Sequence, residues 1–284
     1  MARVCAVIVT ANRKDLLRRC LRSLLAQTRP ADRILIVDNA STDGTREMLD
    51  TEFASLARLN VLARLDLKDN IGGAGGVSAG LRWAHCNKFD WTWVLDDGVE
   101  LAPDCLQRML AAGALEGDSG DLIQVRGGAG HDEISFQDNA PSLKVDYCDF
   151  TSALIRRKVL EEAGFPDIRY FHAGDDAAYG YLAAQRASSI CLNYQGIVRH
   201  TPVTPPLDRM TFYLGIRNRF LNRANLEASG ATPSSVGFFF EILAAVVKQL
   251  GRAFESANAA INAIATIDGL RDGLHKRFDR LPQS

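Results

Sequence analysis

The sequence is short of several things, and each shortage removes a class of protein. None of its six cysteines, at positions 5, 20, 86, 105, 148 and 191, forms a CxxC pair, and their spacing matches no zinc site. Several sit inside apolar runs, as in Val4-Cys5-Ala6-Val7, and are expected as reduced, buried thiols of a cytosolic protein. No run of about 20 apolar residues exists, so none is expected to span a bilayer. The best candidate, residues 238–247, is interrupted by Glu241. The apolar run at 4–9 is too short for a signal peptide and is followed at once by Asn12, Arg13 and Lys14. Charge of one sign is not in excess. The 33 Lys and Arg against 34 Asp and Glu give a net charge of −1, which disfavours a sequence-independent nucleic-acid binder. Glycine is missing where a dinucleotide fingerprint needs it, because the turn after the first apolar run is Thr10-Ala11-Asn12-Arg13. An NAD-dependent oxidoreductase is set aside on that ground.

What is present is an ordinary globular balance, with 47% hydrophobic and 24% charged residues over 284 positions. That predicts one large domain or two small ones, with a core that needs no disulfide or metal. The first hundred residues alternate in character. Val4 to Thr10 is a continuous, β-branched apolar run of strand length. Leu16, Leu17, Cys20, Leu21, Leu24 and Leu25 then fall on one helical face. Residues 34–37 read as a second strand, and Ser41-Thr42-Asp43 offers caps for a helix carrying Met48, Leu49 and Phe53. Residues 61–65 and 91–95 read as further strands, with a glycine-rich loop at 72–76 and a helix at 77–83 between them. Buried strands joined by helices predict a parallel α/β sheet, in which ligands bind beyond the carboxyl ends of the strands.

Further on, residues 122–125 and 145–150 read as strands, 117–121 and 127–133 as loops, and 159–163 as a short helix. Residues 190–192 lead towards Val198-Arg199-His200, and three prolines within 201–206 mark a linker or lid. Three helices are predicted after it, at 212–224, 236–250 and 253–267. Phe254, Ala257, Ile261 and Ile264 repeat at helical spacing in that region.

Asp38 and the pair Asp96-Asp97 end two of the strands. Carboxylates crowded together there are costly unless a cation or hydrogen-bond donors compensate. They read either as a site for a divalent metal holding a diphosphate or as solvated loop carboxylates. Asn70-Ile71-Gly72-Gly73-Ala74-Gly75-Gly76 lets backbone approach a ligand, or makes a tight turn before a closely packed helix. Asp175-Asp176 offers a general base, or simply a helix N-terminus.

In combination these motifs, with His200 and Phe212-Tyr213-Leu214-Gly215-Ile216-Arg217-Asn218, resemble the family 2 glycosyltransferases of GT-A fold over about residues 3–220. The segment Asn70 to Gly76 looks most like the bacterial galactofuranosyltransferases, with the rhamnosyltransferases that use dTDP-rhamnose close behind. The resemblance implies an α/β, Rossmann-like nucleotide-binding sheet domain at 1–206, with a nucleotide-sugar half (1–115) and an acceptor half (116–206). A C-terminal helical region follows at 207–284.

By the same resemblance Thr10, Asn12, Arg13, Asp38, Asn39, Asn70, Gly72, Gly73 and Asp96 bind the donor. Asp96, Asp97 and His200 hold Mn²⁺ or Mg²⁺. Asp176 is the base of an inverting transfer, with Asp175 beside it in acceptor binding. The implied donor is UDP-galactofuranose, and the implied acceptor is a glycan or polyprenyl-linked glycan in cell-envelope polysaccharide biosynthesis. Two departures stand out. Gly98 occupies the third acidic position of the family motif, which implies a weak metal site, and Ala11 replaces an aromatic that lies against the base. Loss of both also suits a nucleotide-sugar-binding relative without turnover. The apolar C-terminal helices, flanked by Arg and Lys, are expected on the sheet domain, on another subunit, or on the inner face of the cell membrane as a peripheral contact.

Overall fold

The structure, a computed structural model, describes residues 2–115, 120–125, 128–129, 142–144, 148–186, 189–192, 198–201, 207–230 and 234–282. The expected loop at 127–133 and the lid at 201–206 lie largely outside the described residues, as do 117–119 and 145–147. The chain divides into two compact units: residues 1–168 with 176–202, and residues 169–175 with 203–284.

The first unit is built on an eight-stranded sheet. Its elements in chain order are β1 (Val4–Thr10), α1 (Lys14–Leu25), β2 (Arg33–Asp38), α2 (Thr45–Glu52), α3 (Ala54–Arg58), β3 (Leu62–Asp66), α4 (Gly72–Cys86), β4 (Trp91–Asp96), β5 (Val99–Leu101), α5 (Cys105–Leu115), β6 (Leu122–Val125), β7 (Gly128–Ala129), β8 (Ser142–Lys144), β9 (Ser152–Arg156), α6 (Arg157–Ala163), α7 (Asp175–Arg186), β10 (Ser189–Leu192) and β11 (Val198–His200). The sheet order is β3-β2-β1-β4-β9-β6-β10-β8, and β5-β11-β7 form a small second sheet. β1 pairs in parallel with β2 and β4, in a register that sets Thr10 beside Asp38 and Val9 beside Asp96. Three polar strand ends therefore meet at one edge. β1 is buried along nearly its whole length because α1 and α4 cover its two faces, which is why it reads as an unbroken apolar run.

Three expectations are corrected. The sheet is mixed, since β9 runs antiparallel to both β4 and β6. Residues 148–150 are not strand, and the strand is Ser152–Arg156. The glycine-rich loop is instead the first turns of α4. Glycine is required there by proximity. A Cβ on Gly76 would stand 2.4 Å from Val9 Cγ1, and one on Gly80 2.3 Å from Val7 Cγ1. The helix can lie that close to β1 only without those side chains. The start of α2 also differs: Gly44 takes the cap position at φ +85°, and Asp43 accepts from the Thr45 amide just inside.

The second unit holds α8 (Arg209–Ala228), α9 (Ser235–Phe254) and α10 (Ala259–Leu274). Asp208 and Ser234 cap α8 and α9 by accepting from the amides of Thr211 and Gly237. α10 packs on α8 through small residues, since a Cβ on Gly269 would stand 2.3 Å from the Tyr213 carbonyl oxygen. The predicted stripe of Phe254, Ala257, Ile261 and Ile264 is not one face of one helix. Phe254 ends α9, α10 starts at Ala259, and Phe254, Ile261 and Ile264 are 76%, 51% and 55% exposed. Among the described residues no helix is long and apolar enough to cross a membrane.

Candidate functional site

Parallel pairing delivers the acidic turn after β4 to the end of β1. Asp96 Oδ1 accepts from the Gly98 amide at 2.8 Å and lies 3.3 Å from His200 Nε2 and 3.9 Å from Arg13 Nη1. His200 comes from 104 residues further along the chain. The small sheet carries it there, pairing His200 with Val99, and the Thr201 amide donates to the Gly98 carbonyl. Burial pushes the Asp96 carboxyl up, but the hydrogen bonds from His200 and the Gly98 amide, with the charges of His200 and Arg13, outweigh it and hold it low. The bond to Asp96 raises His200 in turn, against the effect of burial.

Asp97 differs from its neighbour. It was expected to face a metal, yet it is 2% exposed and turned inward. Its Oδ2 accepts from Thr10 Oγ1 and its Oδ1 from Arg13 Nη1, both at 2.8 Å. Burial pushes its carboxyl up to about 6 despite Arg13 and Thr10, with the Asp96 charge adding to the rise. Asp97 thus fixes Arg13 and Thr10 in place and offers no open oxygen to an ion. Among the described residues no group of three or more His, Cys, Asp and Glu side chains is arranged to hold a metal. Asp96 and His200 remain as one oxygen and one nitrogen donor, a pair that suits one flank of Mn²⁺ or Mg²⁺ if a diphosphate supplies further oxygens.

The other expected donor-side residues are tied to one another. Asp38 accepts from the Ser41 amide. Asn39 is used at both ends, accepting from the Ile71 amide and donating to the Gly72 carbonyl, each at 2.9 Å. Asn70 accepts from the Gly72 amide. Asn12, in the left-handed region at φ +55°, accepts from the Thr42 amide. Asn12, Asn39 and Asn70 therefore shape the loops after β1 and β2 and the start of α4, which contains Gly72 and Gly73. Arg13, Asp96 and His200, at the ends of β1 and β4, keep 33%, 36% and 30% exposure.

Asp176 stands in the first turn of α7, accepting from the Ala177 amide, with Asp175 before it. Burial raises the Asp176 carboxyl and the charge of Asp149 adds to it. α7 is pressed onto residue 148, where a Cβ on Gly180 would stand 1.8 Å from the Cys148 carbonyl oxygen, and Tyr179 packs on Phe150 at 5.8 Å.

Asp149 is the residue that sequence reasoning missed. Its charge acts on both Asp176 and His200. Its amide donates to Gln124, and the Thr151 carbonyl two residues on accepts from the Asp96 amide at 3.2 Å. The unread signal is an acid just before the buried run Ala153-Leu154-Ile155, as Asp38 and Asp96 lie just after theirs.

Comparison with known proteins meets this geometry. The profile of the family described as "Glycosyl transferase family 2" matches residues 5–164. Galactofuranosyltransferase GlfT1 of Mycolicibacterium smegmatis is 26% identical over 194 residues, 61% of this chain and 62% of that protein. GlfT1 of Mycobacterium tuberculosis is 29% identical over 196 residues, again 61% and 62%. The chain thus spans about three-fifths of these relatives' length. Among solved structures, S. aureus TarS 1–349 in complex with UDP-GlcNAc superposes with a TM-score of 0.64 at 16% identity, covering 98% of this chain and 83% of that one. The mannosyltransferase PcManGT from Pyrobaculum calidifontis, in complex with GDP-Man and Mn²⁺, gives 0.58 at 17% identity, covering 96% and 74%. At such identities these likenesses speak for the fold, a GT-A type α/β sheet with C-terminal helices.

Proposed function

The chain belongs to glycosyl transferase family 2, and we propose that it transfers galactofuranose from UDP-galactofuranose, with inversion, to a hydroxyl of a glycan or polyprenyl-linked glycan. The observation that carries this reading is the edge where Arg13, Asp96 and His200 converge beyond β1 and β4. Asp38 and Thr10, at the same strand ends, are assigned to the nucleoside, and the turn into α4 at Gly72 and Gly73 to the diphosphate-sugar. Arg13, held by Asp97, presents its cation to the diphosphate. Asp96 and His200 would hold a divalent ion, which would offset the charge that builds on the leaving diphosphate.

In the transfer step the acceptor oxygen bonds to the anomeric carbon as that carbon's bond to the diphosphate breaks on the opposite face. Asp176 takes the hydroxyl proton. Burial and the charge of Asp149 raise its affinity for a proton, the direction a general base needs. Asp175 is assigned to the acceptor.

Two measurements test the reading. UDP-galactofuranose should stabilise the fold against heat more than dTDP-rhamnose does, in the presence of Mn²⁺. Asp176→Asn should lower transfer by at least about 10²-fold while nucleotide affinity is kept. Stabilisation led by dTDP-rhamnose would make the chain a rhamnosyltransferase, and nucleotide affinity with neither transfer nor donor hydrolysis would make it a binder without turnover.

The position of α9 supports a further assignment, peripheral attachment to the cytoplasmic face of a membrane. Val236, Phe239, Phe240, Leu243, Val247 and Phe254 recur at helical spacing and are each about half exposed or more. Three phenylalanines roughly two-thirds exposed leave on the order of 400 Å² of apolar surface in water, taking about 200 Å² for a whole side chain. Lys248 and Arg252 on the same helix are exposed and suit anionic headgroups.

A further inference from the structure

Arg217 and Asn218 take no part in the reaction as described, yet they are buried in the helical unit, at 0% and 4% exposure. A guanidinium buried so completely is costly unless its donors are satisfied. Here the two terminal nitrogens, Nη1 and Nη2, are satisfied by backbone. Arg217 donates to the carbonyls of Arg169 at 2.7 Å, Tyr170 at 3.3 Å and Phe278. The Asn218 amide nitrogen reaches the carbonyls of Tyr170, His172 and Ala173 at 3.1, 2.7 and 3.0 Å. Two adjacent side chains of α8 thus bind four carbonyls of one short segment. Tyr170, 1% exposed, is bound by its hydroxyl to Asn222 one turn later.

That segment has a shape it would not hold alone. The His172 amide donates to the Tyr170 carbonyl across Phe171 at φ +62°, a γ-turn of the rare, strained hand. Ala173 and Gly174 follow at φ +70° and +86°. A bulky residue and an alanine in the left-handed region persist only where the surroundings over-determine them. The segment ends at Asp175, the first residue of α7, and Asp176 is the next residue in the chain.

We propose that Arg217 and Asn218 are positioning residues for glycosyl transfer: by gripping the carbonyls of residues 169–173 they impose the left-handed turn that delivers the chain into α7 and so fix where Asp176 stands. This rests on the reading of Asp176 as the base. It gives the Arg-Asn pair of α8 a task in catalysis without contact with either substrate.

The test is a kinetic cycle on the full chain with Asn218→Ala, Asp176→Asn and the double variant, using UDP-galactofuranose and Mn²⁺ and checking each fold by circular dichroism. Asn218→Ala is expected to lower kcat by about 10²-fold, the scale of a misplaced reacting group, with UDP affinity within about twofold of the parent. In the Asp176→Asn background the same change should cost less than about threefold, because the group it positions is already disabled. Ala173→Gly added to Asn218→Ala should return at least about threefold in kcat, since glycine enters the left-handed region without strain. Should Asn218→Ala not fold, Arg217→Lys, which keeps the charge and gives up the two-armed grip, is read in the same cycle. A kcat within about twofold of the parent, or an equal loss in both backgrounds, overturns the proposal. Near-normal turnover of Asp176→Asn alone overturns the base assignment, and this proposal with it, so the two failures are told apart by that single variant.

Discussion

Thr10 donates its hydroxyl proton to Asp97 at 2.8 Å, joining residues 87 apart in sequence through a contact buried between the ends of β1 and β4. The second acid of the pair is thereby held inside the fold, while the first keeps 36% of its side-chain surface. Thr10→Val, nearly the same shape, leaves a buried carboxylate short of a donor. It should destabilise the fold by about 1–3 kcal/mol in urea titration. A neutral result would mean that Asp97 turns outward and finds other partners.

Gly76→Ala should cost about 1–3 kcal/mol, because the new methyl enters the space of Val9. Adding Val9→Ala vacates that space, so the double variant should be more stable than the sum of the singles allows. Simple additivity in urea denaturation would show that α4 does not lie so close to the sheet.

Gly98 separates charge from bulk. A Cβ there would stand 3.0 Å from both Asp96 Oδ1 and the Thr201 carbonyl oxygen, so any side chain crowds the turn. Gly98→Ala should weaken Mn²⁺ binding in the presence of UDP, and Gly98→Asp should bind the ion more tightly than Gly98→Ala does. Calorimetric titration decides. Equal affinities for the two variants would place position 98 away from the ion.

The His200–Asp96 pair gives stability a pH dependence of known sign. His200 is raised when folded and titrates near 6.5 when unfolded, so its contribution is complete below about 6.5 and fades as pH climbs through the folded value. Asp96 is lowered when folded, so its share is present above about 3.9 and is lost as pH falls through its folded value. In metal-free protein, the thermal midpoint of the parent should exceed that of His200→Gln most at about pH 5–6, and the gap should shrink by about pH 8. A gap that widens with pH would reverse the assignment.

If α9 meets a lipid surface, the chain should float with anionic vesicles at low salt and be released at high salt. Phe239→Ser with Phe240→Ser should abolish flotation without lowering the thermal midpoint, since both rings are already in water. A chain that stays unbound and sediments as a dimer would make the stripe a subunit interface instead.

The nucleotide-side strands were legible because a strand buried on both faces is an apolar run with a polar end, and the pattern at residues 4–10, 34–38 and 91–96 is local. Local reading failed where distance in sequence decides. Gly72 to Gly76 read as loop by propensity, but a helix packed so close that a Cβ on Gly76 would meet Val9 overrides that propensity. The inward turn of Asp97 depends on Thr10 and Arg13, and the charge of Asp149 reaches Asp176 and His200 through packing that no spacing reveals. Helical periodicity found apolar positions in the C-terminal helices, but it cannot say which of them are covered, and Phe254, Ile261 and Ile264 are left half exposed or more.

The strand β9 also sets an order of events during synthesis. β1, β2, β3 and β4 are joined by short crossovers, and each finds its neighbour soon after it emerges. β4 has one side left over, and its partner there, β9, starts at Ser152, more than fifty residues later. Until β9 arrives, β4 presents an open edge of the kind that recruits other chains. The Asp96 amide, which bonds to Thr151 just before β9, cannot be fixed before then either. A ribosome-bound nascent chain halted near residue 130 should therefore be more prone to aggregate than one released past residue 170, and its acidic turn should not yet be in place.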